Sequence, residues 1–202
     1  MYLPAHFAQT DPAALHALMR QYPLATLVTE ANGEPVADEV PFLFSPVPGP
    51  HGTLKAHVAR ANPVWQNHPL ARQVLVVFRG PQAYVSPSWY PGKAEHHKVV
   101  PTWNYAVVHA HGTLRAVDDA PWLRTLVARL TERHEAGRAA PWAVDDAPAD
   151  YVAQMLRAIV GIEIAVTRLQ GKWKTSQNRS AADRAGAAAG LVEHPMAALV
   201  RP

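Results

Sequence analysis

From residue 24 onward, apolar residues gather in runs short enough to be strands, separated by turn-forming residues. LATLVT is followed by ANGEP and then by VADEVPFLF. Asn32-Gly33 between alternating runs is a strong hairpin signal, because both residues tolerate the positive φ of a tight turn. Pro35 and Pro41 lack an N–H donor, which places part of the returning strand at an edge. HGTLKAHV gives a third strand and QVLVVF a central apolar one, with AYVS beyond a break at Gly80-Pro81. WNYAVVHAHGTLRAV reads as one long strand or a bent pair, with Gly112 as the bend.

Helical spacing brackets this region. Asp11-Pro12 opens a first helix as N-cap and first helical residue, carrying Leu15, Leu18, Met19 and Tyr22 up to Pro23. The segment ARANPVWQNHPL, residues 59–70, reads as a turn or short helix. After residue 117 the period changes. DDAPWLRTLVARLTERHEAG is an amphipathic helix capped by Asp119, with Trp122, Leu123, Leu126, Val127 and Leu130 on one face. A second helix is expected over 149–158, then a strand at GIEIAVTRL, a basic tail GKWKTSQNRS and a terminal helix in RSAADRAGAAAG. Strands at short spacing interrupted late by helices favour an antiparallel barrel over a βαβ sheet. The expectation is one mainly β domain over 1–202, a helical elaboration at 119–160 and a polar C-terminal tail at 171–202.

Several chemistries are excluded. The chain has no cysteine, so disulfides, thiolate catalysis and cysteine-ligated zinc or iron–sulfur clusters are absent. No apolar 18-mer spans a membrane, and MYLPAHF lacks the basic and apolar regions of a secretory leader; a cytoplasmic protein is expected. The net charge of +3 is too small to argue for nucleic acid. GxGxxG, Walker-type, HExxH and GxSxG patterns are missing. His96-His97 and His109-Ala110-His111 invite a metal reading, but no carboxylate completes a ligand set. His109 also suits an axial haem ligand, although one histidine does not specify haem.

Two segments have the composition of a pocket for a planar polar ligand. AYVSPSWYPGK and VVPTWNY interleave tryptophan and tyrosine with Ser86, Ser88, Thr102 and Asn104. Trp89 suits either a ligand wall or core packing. Strand periodicity puts Thr102 and Asn104 on one face, and Trp103 and Tyr105 on the other. In LKAHVARANPVW, Lys55 and His57 alternate on one side of a strand, and Arg60 and Asn62 lie at its exit. Such a set suits phosphate, or else a solvated arginine with a locally packed histidine. GKWKTSQNRS gathers Lys172, Lys174, Ser176, Gln177, Asn178 and Arg179 around one tryptophan, the composition of a ligand-facing loop or else of a polar surface tail.

Taken as a set, these motifs, with MYLPAHF and IVGIEI, resemble the PaiB-type FMN-binding negative transcriptional regulators over at least residues 1–180. The resemblance implies a split β-barrel of the pyridoxamine-phosphate-oxidase-like flavoprotein type, homodimeric, with FMN at the subunit boundary. It also implies Lys55, His57, Arg60, Asn62, Ser88, Trp89, Thr102, Asn104, Lys174 and Gln177 as cofactor contacts. No catalytic side chain and no metal ligand is implied. The output it implies is repression of transcription, although no helix of the sequence is a clear DNA-recognition element. The alternatives are an FMN-dependent oxidoreductase of a small substrate and, behind it, a haem-handling protein.

Overall fold

The structure, a computed structural model, describes residues 1–66 and 73–202. The last four residues of the 59–70 segment lie outside it. In chain order the strands are β1 (Ala8–Gln9), β2 (Leu24–Ala31), β3 (Glu34–Pro41), β4 (Leu43–Ser45), β5 (Thr53–Ala59), β6 (Gln73–Val85), β7 (Thr102–Val117) and β8 (Ile159–Lys174). The helices are α1 (Pro12–Gln21), α2 (Gly92–His96), α3 (Ala120–Glu135), α4 (Ala149–Arg157), α5 (Ala181–Gly190) and α6 (Met196–Val200). Among the described residues no helix is long and apolar enough to cross a membrane.

The expected mainly β split barrel is corrected here. All eight strands belong to one sheet of order β3-β2-β6-β7-β8-β5-β4, with β1 added on β8. That path is open: β3 and β4 end it and, among the described residues, do not pair with each other, so the fold is mixed α/β with an unclosed sheet. The chemistry of the end strands explains the outcome. Pro35 and Pro41 of β3 face Glu30 and Leu24 of β2 and have no N–H to offer a further neighbour. β4 has three residues, too few to seed a long ladder.

The chain divides into two compact units. One comprises residues 1–22, 78–109 and 170–202; the other comprises 23–77 and 110–169. In the second unit the Asn32-Gly33 turn has φ values of 55° and 83°, and the hairpin keeps an unbroken register from Leu24↔Pro41 to Ala31↔Glu34. β5 lies antiparallel to β8, with Lys55 opposite Glu163 and His57 opposite Gly161. α3 starts where the sequence places it, with the Asp119 carboxylate accepting from Trp122 N–H at 2.7 Å. It buries Leu123, Leu126 and Leu130.

In the first unit Asp11 caps α1 through Ala13 and Ala14 N–H. Leu15, Leu18 and Met19 turn inward. The expected break at Gly80-Pro81 does not interrupt β6. The buried positions change there from even numbers (Val74, Val76, Phe78) to odd ones (Ala83, Val85), the phase shift of a bulge within a continuous strand. Residues 171–174 continue β8 beyond the expected strand end, and the segment after them is largely packed. α5 and α6 bury Ala187, Leu191, Met196 and Val200 with Val85 and Tyr90, and Trp89 lies against this cluster.

Candidate functional site

In the second unit, the outward side of β5 presents Lys55 and His57. Lys55 Nζ lies 3.4 Å from Glu163 Oε2 and 5.9 Å from the centre of the Trp122 ring. Glu163 also receives Arg115 through Nε at 2.8 Å and Nη2 at 2.6 Å. Two cations therefore share one carboxylate. His57 Nδ1 is buried without a partner among the described residues, and burial pushes its pKa below the usual histidine value.

At the exit of β5, Arg60 is committed to the chain itself. Its guanidinium donates to both Asp118 oxygens at 2.7 and 2.8 Å, to Arg157 O at 2.7 Å and to Ile159 O at 3.1 Å. The hydrogen bonds with Asp118 raise the arginine pKa and lower that of the carboxylate. A bidentate clamp of this kind fixes geometry. It ties the end of β5 to the β7–α3 junction and the start of β8. Asn62 is also occupied: its Oδ1 accepts from Val64 N–H at 2.9 Å as an N-cap, and its Nδ2 donates to Asp38 Oδ1 at 2.8 Å. Of the four residues expected from this segment, Arg60 and Asn62 are thus bonded within the chain, Lys55 is paired with Glu163, and His57 is half-buried.

In the first unit, the start of β7 and the end of β8 bring four of the expected residues together. Lys174 Nζ donates to Thr102 Oγ1 at 2.5 Å and to Trp103 O at 2.9 Å. Asn104 is fully buried and donates from Nδ2 to Ser176 Oγ at 2.9 Å, while its Oδ1 is buried without a partner among the described residues. Ser176 has φ 65°, so this buried bond holds a residue in the left-handed region and shapes the 175–179 turn. Gln177 closes the turn on itself, accepting from Thr175 N–H at 2.8 Å and donating to Trp173 O at 2.5 Å.

Ser88 and Trp89 have different surroundings. Ser86 accepts from Ser88 N–H at 3.2 Å, and Ser88 itself is exposed. Trp89 packs against α5, where a Cβ at Gly190 would come within 2.3 Å of its ring. That contact is the core-packing alternative. Arg179 lies 5.2 Å over the Tyr90 ring beside them.

A flavin fits the donors of the Lys174 cluster. An ammonium has three N–H donors, and two are used on Thr102 and Trp103. Thr102 Oγ1 accepts from Lys174, which leaves its own hydrogen to donate. Two adjacent donors with buried Asn104 fixing the turn beneath them suit the carbonyl-bearing edge of a planar heterocycle. The chain's part in such a site is binding and orientation.

Sequence reasoning missed Asp38, whereas Lys172 and Ser176 belong to the tail GKWKTSQNRS, which has the composition of a ligand-facing loop. Lys172 is only 8% exposed, donates to Tyr2 O at 3.0 Å and lies 5.5 Å from both the Tyr2 and Tyr105 rings. The acid-rich hairpin was a signal for Asp38; its pairing with Asn62, 24 positions on, was not legible. Among the described residues no group of three His, Asp or Glu side chains is placed to hold a metal ion.

Known proteins similar to this chain point to one family. Residues 1–168 match the family described as "Putative FMN-binding domain". The chain is 33% identical over 183 residues to the Protease synthase and sporulation protein PAI 2 of Bacillus subtilis, spanning 91% of this chain and 85% of that one. It is also 33% identical to the uncharacterized protein AN0679 of Emericella nidulans, over 95% of this chain and 90% of its relative. The solved structure of the flavocytochrome Anf3 from Azotobacter vinelandii has the same fold, with a TM-score of 0.60 at 14% identity over 84% of this chain and 70% of that one.

Proposed function

Because the chain belongs to the family of putative FMN-binding domains, we propose that it binds FMN, at the boundary of a homodimer, and acts through the bound flavin as a negative regulator of transcription. The observation that carries the flavin reading is the Lys174–Thr102 pair, two donors side by side over a turn that Asn104 fixes from below. Lys174 and Thr102 address the ring edge, Asn104 and Gln177 hold the turn, and Ser88 is an exposed residue of the same unit. Trp89 supports the site by packing. In the other unit, taken by itself, Lys55 and His57 with Arg115 beside them are a candidate anion-binding group, while Arg60 and Asn62 hold the strand end in place. When bound, the flavin supplies one- and two-electron redox chemistry.

The dimer reading rests on exposed aromatic area. Tyr84 and Trp103 are 50% and 51% exposed and meet edge to face at 6.4 Å. An outward sheet face is ordinarily polar, and bulky rings there are suited to a second copy of the chain.

A second reading is an FMN-dependent oxidoreductase of a small substrate, because a bound flavin supplies redox chemistry without a protein nucleophile. The test begins by titrating the apo-protein with FMN. Saturable binding that Lys174→Ala weakens about tenfold, the worth of one charge-assisted hydrogen bond, supports the site. No binding by a folded protein overturns it. Repeated turnover of NAD(P)H with a second substrate then selects the oxidoreductase, and salt-tested, sequence-specific DNA binding without turnover selects the regulator.

A further inference from the structure

Helix α3 and the segment that follows it, up to the turn Val144–Asp146, line a cavity of about 550 Å³ within the second unit. Ala128, Ala136, Pro141, Trp142 and Val144 give it apolar walls. Trp142 is 48% exposed, yet its backbone is fastened, with its N–H donating to Glu135 Oε2 at 3.2 Å. The residues after it are held as well. Ala143 N–H donates to Asp146 Oδ2 at 2.8 Å, and Arg124 of α3 pairs with Asp145. A large ring on a fixed segment, left half in water beside a cavity, is poorly used as core packing. It is well placed as a preorganised wall for a ligand.

The charges around the cavity select the ligand's sign. Asp145 is matched by Arg124, and Glu135 by Arg138, whose Nε lies 2.9 Å from Oε1. Glu132 also lines the cavity, is exposed to solvent and pairs with no cation among the described residues. One uncompensated carboxylate and the negative face of an indole both attract cations and repel anions. The apolar walls narrow the choice further. A primary ammonium brings three N–H donors that alanine, proline and valine side chains cannot accept, whereas a quaternary ammonium brings none. We propose that this cavity binds a small quaternary ammonium compound, its methyl groups against the Trp142 ring and the apolar walls and its charge balanced by Glu132. The site uses no residue of the flavin reading and gives the protein a second, independent ligand.

The test is titration of the full chain with choline chloride, followed through the Trp142 indole N–H resonance and run beside 3,3-dimethylbutan-1-ol at matched ionic strength. The alcohol has the shape of choline without its charge. A saturable shift with choline, at a midpoint at least about tenfold lower than with the alcohol, is the expected result. Ethanolammonium, which keeps the charge and lacks the methyl groups, is expected to bind more weakly than choline. Trp142→Ala, which retains the backbone bond to Glu135, is expected to abolish choline binding measured by calorimetry. Glu132→Gln, at an exposed position, is expected to weaken it and keeps the test open even if Trp142→Ala does not fold. Neither variant is expected to change FMN affinity, so failure here is distinguishable from failure of the flavin reading. Equal midpoints for choline and either control, binding unchanged in either folded variant, or no saturable shift overturns the proposal.

Discussion

At the residue scale, the sequence names side chains well and their partners poorly. Lys55, Asn104 and Lys174 were legible as polar groups in aromatic or basic surroundings. Nothing in the spacing told that Asn104 would be buried under Ser176, or that Arg60 would be spent on Asp118, because those partners lie 72 and 58 positions away. His57 carries a prediction that follows from burial alone. Desolvation lowers its pKa in the folded chain, so between that lowered value and the unfolded value of about 6.5 the unfolded chain binds more protons. The histidine's contribution is therefore fully present above about pH 6.5 and declines as the pH falls through the folded pKa. His57→Gln removes the titration. Urea midpoints measured at pH 7.5 and 5.5 are expected to differ less in the variant than in the wild type. An equal or larger difference in the variant would show that another group dominates the acid limb.

At the element scale, what was local was readable. The Asp11 and Asp119 caps and the Asn32-Gly33 turn each rest on a few neighbouring residues, and the structure has all three. Closure of the sheet is a pairing between distant strands, and alternation within a strand carries no information about it. The packing of α5 was equally hidden, since AADRAGAAAG has the composition of a weak helix and its small residues matter only against the ring they meet. A Cβ on Gly186 would stand 2.1 Å from Trp89 O, a backbone atom that cannot rotate away. Gly186→Ala should therefore destabilise the chain by about 1–3 kcal/mol in urea unfolding, the usual cost of overpacking. Gly137→Ala, with nothing within 4 Å of its Cβ and no positive φ, serves as the comparison and should be close to neutral. A similar loss in both would trace the effect to the substitution type and not to the α5–Trp89 contact.

At the scale of the whole molecule, the open sheet and the exposed aromatic pair bear on assembly. A sheet closed on itself has no unpaired edge, whereas this one ends in β3 and β4, both blunted, one by prolines and the other by its brevity. Edge-to-edge pairing is thereby discouraged, and the outward face of β6 and β7 is the better surface for a second copy. Trp103 anchors that face, with its indole N–H donating to Gln82 Oε1 at 3.3 Å and its ring against Tyr84. A carboxylate placed there would be buried unpaired if two copies meet across it, which is strongly unfavourable. Trp103→Glu is therefore expected to turn a dimer into a monomer in light scattering after gel filtration, while circular dichroism stays native because the position is half exposed. Loss of FMN affinity together with the dimer would place the flavin at the pair's boundary. A monomer that still binds FMN with wild-type affinity would put the whole site within one chain, and an undisturbed dimer would remove this face from the interface.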